Sequence, residues 1–87
     1  MPRTAASDLA SKLVGREVRR ARLAGGLTQA EVAERLSTSA SYVANVEAGR
    51  LNPTVGQLAR IAEAVGADFE LSLPRLTLEP VVVQEPE

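Results

Sequence analysis

The stretch from Leu27 to Pro53, LTQAEVAERLSTSASYVANVEAGRLNP, decides how the rest of the chain is read. Thr28 followed three residues later by Glu31 is a capping box. The hydroxyl takes a free N–H of the first helical turn, and the carboxylate reaches back to the cap. The helix that opens there puts Val32, Ala33 and Leu36 on one face. Ser37-Thr38 interrupts it. Ser39 then caps a second short helix, Ala40 to Ala48, with Val43 and Val46 inward and Gly49 as its stop. Asn52-Pro53 marks a turn.

The same signals continue in both directions. Upstream, Ser7 is positioned to cap a helix through Leu9, Leu13, Val14, Val18 and Ala21 that ends at Gly25-Gly26. Gly15 lies inside it, either as a weak point or as the start of the packed portion. Downstream, Thr54-Val55-Gly56-Gln57 is a second capping box. It opens a helix with Leu58, Ile61, Ala62 and Val65 inside, closed by Gly66. The period then changes. Phe69, Leu71 and Leu73 alternate with Glu70 and Ser72, which is the period of a strand, until Pro74 breaks the run. A lone strand leaves its backbone donors and acceptors unsatisfied. Either it pairs with Leu76–Leu78 as a hairpin, or it pairs with its own copy in a second subunit. Pro74 and the short link favour the second arrangement.

Composition narrows the chemistry. The 87 residues suit one small domain. Fourteen of the hydrophobic residues are Ala, and Tyr42 and Phe69 are the only aromatics, so the core is thin and oligomerisation is a natural source of added stability. There is no Cys and no His, which removes disulfides, thiol nucleophiles, the commonest general base and the usual zinc ligands. Neither a metal site nor a cofactor is expected. Glu31 and Glu34 lie one turn apart, but nothing in the sequence supplies a pocket for them, and they read as a solvated face. No apolar run approaches the ~18 residues of a membrane span, and no signal peptide is visible, so a cytoplasmic protein is expected.

The net charge of −1 hides a gradient. Residues 1–24 carry six basic and two acidic side chains, whereas residues 61–87 carry one basic and six acidic ones. A polyanionic partner should therefore meet the N-terminal part. Arg16, Arg19 and Arg20 form either a solvated face or a reach toward such a partner.

Two short capped helices joined by a four-residue turn can lay the second helix in a DNA major groove. The run from Leu27 to Pro53 resembles the helix-turn-helix of the phage repressor and Cro type, the XRE family. Arg22, Thr28-Gln29, Ala33, Val43, Glu47-x-Gly49 and Asn52-Pro53 carry the likeness, which covers about residues 14–66. It implies a mostly α fold, a compact bundle of four to five helices, here with a short C-terminal β-strand added, and a dimer repressing an operator in double-stranded DNA. The chain then divides into an N-terminal helical extension (1–13), the helix-turn-helix domain (14–66), a dimerisation strand with Phe69, Leu71 and Leu73 (67–79) and an acidic tail (80–87). Two positions depart from the family pattern. Ser37 stands where Gly is usual, at a cost on the order of 1 kcal/mol if its φ is positive. Thr38 stands where an apolar residue is usual.

The resemblance assigns roles. Ala40, Ser41, Ala44 and Asn45 form the face turned to the bases. Asn45 is suited to an adenine edge, and the alanines offer a methyl to thymine. This is a poor hydrogen-bonding set, so DNA shape should carry part of the selectivity. Gln29, at a helix N-terminus, is implied to contact phosphate. Arg50, Asn52 and Thr54 are implied to form a second phosphate-binding patch, and Ser39 is likewise implied to contact phosphate. Tyr42 either reaches a phosphate or is half-buried against the preceding helix. Arg22 and Glu47 are implied to be a partly buried salt bridge. The segment GADFELSLPRL, Gly66 to Leu76, also resembles antitoxins of the HipB and HigA type, which implies a toxin protein as a further partner. The competing readings are a stand-alone regulator, or an interaction module that keeps the fold without binding DNA.

Overall fold

The structure is a computed structural model and describes residues 5–66. Four helices follow one another: α1 (Ala5–Ala24), α2 (Gln29–Leu36), α3 (Ala40–Glu47) and α4 (Val55–Val65). No strand occurs among the described residues. The strand expected at 67–79, with Phe69, Leu71 and Leu73, and the tail at 80–87 lie outside them.

Both capping boxes are formed. Thr28 Oγ1 accepts from the Glu31 N–H at 3.0 Å, and Glu31 Oε1 accepts from the Thr28 N–H at 2.8 Å. Thr54 and Gln57 repeat the exchange at 3.1 and 2.9 Å. Ser39 caps α3, its hydroxyl accepting from the Tyr42 N–H at 3.1 Å. Ser7 is not a cap, because α1 begins two residues earlier and runs unbroken past residue 13. Its hydroxyl accepts from Asn52 Nδ2 at 3.4 Å, which ties the start of α1 to the loop after α3.

Three helices end in the same way. At Gly26, Ser37 and Gly49 the backbone turns left-handed, with φ of 72°, 56° and 77°. In each case the residue after the turn donates back five positions: Leu27 to Arg22 at 3.0 Å, Thr38 to Ala33 at 2.9 Å and Arg50 to Asn45 at 3.0 Å. This is the Schellman arrangement, which satisfies carbonyls that the helix leaves free. Leu27 also supplies the apolar contact that usually accompanies it, packing against the core. The α2 end lacks both aids, since Ser37 carries a Cβ into a left-handed position and Thr38 is exposed.

The core is small and aliphatic. Val14, Val18 and Ala21 of α1 meet Val32, Ala33 and Leu36 of α2, Val43 and Val46 of α3, and Ile61, Ala64 and Val65 of α4. Ala64, rather than the expected Ala62, completes the α4 stripe, and Leu9 is half-exposed. Ser11 is fully buried, and its hydroxyl has no hydrogen-bond partner. Gly15 lies within the packed part of α1. A Cβ there would stand 2.4 Å from the Val46 carbonyl oxygen and 2.6 Å from that of Glu47, so its absence lets α1 and α3 approach. Two arginines clasp α2 to α4: Arg35 Nη1 donates to Ala64 O at 2.9 Å, and Arg60 Nη2 donates to Leu36 O at 3.2 Å. Each ties up a carbonyl at the other helix's C-terminal end, where positive charge is favoured.

Two glycine exchanges should act in opposite directions. Gly15→Ala gains about 1 kcal/mol of helix propensity but overpacks against main-chain oxygens, so a net loss of about 2 kcal/mol is expected in urea unfolding. Ser37→Gly relieves the left-handed Cβ and should gain about 0.5–1 kcal/mol, raising Tm by about 2–8 °C in a thermal melt.

Candidate nucleic-acid interface

The candidate interface is assembled on α3. Val43 and Val46 are buried, at 2% and 1% exposure, and fix which side of this short helix faces the core. Ala40 and Ser41 are therefore exposed, and Ala44 and Asn45 are half-exposed one turn further on. Ser39 is exposed at the start of α3. Because its oxygen accepts from the Tyr42 N–H, its hydroxyl hydrogen remains to donate. The Thr54 hydroxyl is in the same position at the start of α4.

Tyr42 is half-buried and packs against the core beside a groove lined by Leu36, Ser37, Thr38, Gln57 and Arg60. Of the two placements open from the sequence, the half-buried one describes its ring. Arg50 is exposed, and its Nη1 donates to Asn45 Oδ1 at 3.1 Å. Asn52 is exposed and held by Ser7.

Behind this face lies a charged joint. Arg22 Nε and Nη2 donate to the two oxygens of Glu47 at 2.6 and 3.0 Å, and Arg22 Nη1 donates to Leu27 O at 2.9 Å. The two side chains are only 9% and 4% exposed. Gln29 Nε2 adds a third bond to the carboxylate, at 3.0 Å to Oε1. The hydrogen bond to Glu47 raises the Arg22 pKa above its ordinary value, against the lowering effect of burial. A raised pKa contributes stability that is fully present below the unfolded-state pKa and is lost only as pH rises through the folded one. The arginine thus gives no pH dependence near neutrality.

Sequence reasoning missed four of the contacts. Gln29 has its side-chain amide on Glu47, Arg50 reaches Asn45, and Arg35 and Arg60 serve as helix clasps. Nothing local signals them, because each partner is chosen by the packing of helices or by the turn after α3. No cluster of His, Cys, Asp or Glu able to hold a metal occurs among the described residues, and no described helix is long and apolar enough to cross a membrane.

Removing one partner of the buried pair should be severe. Glu47→Gln leaves the Arg22 guanidinium without its counter-charge, and a loss of about 3–5 kcal/mol is expected in chemical denaturation. Replacing both, Arg22→Met with Glu47→Leu, should recover most of that loss, because neither charge is then buried alone.

Comparison with known proteins bears on the same region. Residues 13–72 match the helix-turn-helix domain family. An HTH-type transcriptional regulator, y4dJ, of Sinorhizobium fredii (strain NBRC 101917 / NGR234) is 47% identical over 64 residues, 72% of this chain and 83% of that protein. The immunity repressor protein of Bacillus phage phi105 is 38% identical over 65 residues, 75% of this chain and 45% of the repressor. No solved structure matches. With α2 and α3 set as described and the matching residues spanning all of α2, α3 and α4, the chain belongs to the helix-turn-helix domain family of the XRE type, a family of DNA-binding transcriptional regulators and not of enzymes.

Proposed function

We propose that the protein is a repressor that binds a specific operator as a homodimer, with α3 in the major groove. The observation that carries this reading is the exposure of Ala40, Ser41, Ala44 and Asn45 along one side of α3 while Val43 and Val46 are buried on the other. Ser41 and Asn45 make the polar base contacts, and the two alanines lie against thymine methyls or other apolar edges. Gln29, Ser39, Tyr42, Arg50, Asn52 and Thr54 meet phosphates on either side. Gln29 does so from the N-terminus of α2, where main-chain N–H groups also favour an anion. Its amide keeps one N–H beyond the bond to Glu47. Tyr42 does so through its hydroxyl, with its ring against the core.

A dimer predicts a palindromic operator with half-sites about 34–36 Å apart, one helical turn. The alternation of Phe69, Leu71 and Leu73 supports strand pairing across that dimer. The same alternation and the acidic character of residues 61–87 support a second reading, in which the repressor is the antitoxin of a toxin–antitoxin pair. Recovery of a toxin on co-purification, or a toxin gene beside this one, separates it from a stand-alone regulator.

The primary test is Asn45→Ala. Binding to the selected operator should weaken by about 1–3 kcal/mol in a gel-shift titration, while binding to random duplex stays as it was. Equal loss on both would remove Asn45 from base reading. Retention of no genomic fragment at low salt would leave the interaction-module reading.

A further inference from the structure

We infer that Arg50 is a positioning residue for sequence selection: it fixes which way round the Asn45 amide enters the groove. This inference rests on the reading of α3 as the base-contacting helix. The turn at Gly49 folds the chain back so that Arg50 returns over the last turn of α3. Its main-chain N–H donates to the Asn45 carbonyl at 3.0 Å, and its guanidinium donates through Nη1 to the Asn45 side-chain oxygen at 3.1 Å. Arg50 is thus tied to Asn45 at both main chain and side chain.

The chemistry of the pair sets a direction. An asparagine amide has an acceptor end and a donor end, and on its own it can present either. A guanidinium carries five N–H donors and no acceptor, so only the oxygen of the amide can face it. Holding Oδ1 against Arg50 leaves the two Nδ2 hydrogens as the leading group. A donor-leading amide suits edges that accept in the major groove, namely purine N7, guanine O6 and thymine O4. It opposes the cytosine N4 amino group, which donates. The second lone pair of Oδ1 is still able to take an adenine N6–H, so the two-bond contact to adenine remains open. On a face otherwise made of Ala40, Ser41 and Ala44, one oriented amide accounts for much of the base discrimination available.

A phosphate contact by Arg50 and an orienting role differ in what they change. A phosphate contact affects all duplexes alike, whereas orientation affects the ratio between them. The test is Arg50→Met, which removes the donors and keeps most of the aliphatic stem. The selected operator is titrated beside the same duplex carrying each other base at the position where Asn45→Ala abolishes preference. The expected result is that a preference of about tenfold in the wild type, the scale of one good base contact, falls to within about threefold. The double variant Asn45→Ala, Arg50→Met should lose no more preference than Asn45→Ala alone. A preserved ratio with weaker binding to every duplex overturns the inference.

A second arm uses no DNA. The side-chain NH2 signals of Asn45 in 15N NMR should shift and gain mobility in Arg50→Met, while the backbone signals of Val43 and Val46 stay in place. Unchanged Asn45 side-chain signals overturn the orienting role whatever the duplexes show. If the wild type selects no operator, the repressor reading falls together with the specificity half of this inference, and the amide signals still decide whether Arg50 holds the side chain.

Discussion

Glu47 holds the helix-turn-helix to the helix before it. Its carboxylate collects Arg22 from α1 and Gln29 from α2 while standing at the end of α3 itself, and Arg22 also binds the carbonyl of Leu27, where the chain enters α2. Three helices thus share one joint, with both charges almost completely out of water. In such a setting the pair adds little stability over an apolar substitute, yet losing one partner alone leaves a buried charge uncompensated. The arrangement also needs α1 and α3 to lie close together, which Gly15 permits by having no side chain between them. The exposed side of α3 takes its direction from this joint and from the two valines beneath it.

The exits from the first three helices show how a repeated backbone device adapts to sequence. All three use a left-handed residue and the same pair of return bonds. Two of them use glycine, and the first adds an apolar anchor in Leu27. The exit from α2 has serine and an exposed threonine instead, yet its geometry is the same. Tertiary packing of Val32, Ala33 and Leu36 outweighs the local preference there, as a strain of a kcal/mol or so allows. That turn sits directly ahead of α3, so the least supported of the three exits adjoins the helix that carries the candidate interface.

Much of this was legible in the residues because the deciding interactions were local. A hydroxyl and an acid or amide three positions apart announce a helix start, and both such starts are formed. Valines at helical spacing announce a core face, and most of the stripe is where periodicity puts it. The errors arose where a distant partner decided. Ser7 has every feature of a cap, but the helix extends past it and its hydroxyl goes to Asn52, forty-five positions away. Ala62 and Ala64 differ little in character, and only the placement of α4 against its neighbours selects Ala64. In the candidate site, the exposure of Ser41 was readable from the helical period. The orientation of Asn45 was not, because it depends on a side chain that the turn after α3 brings back.

The two arginine clasps between α2 and α4 carry a consequence for how the domain meets polyanions. Arg35 and Arg60 direct guanidinium donors into peptide oxygens of their own fold, so those donors are engaged before any nucleic acid arrives. Indiscriminate attraction to a duplex grows with the number of cations that can displace its counterions. Because a peptide oxygen is neutral, both arginines keep their charge, and the clasps fix where two cations stand along the α2–α4 seam rather than withdrawing them from a polyanion.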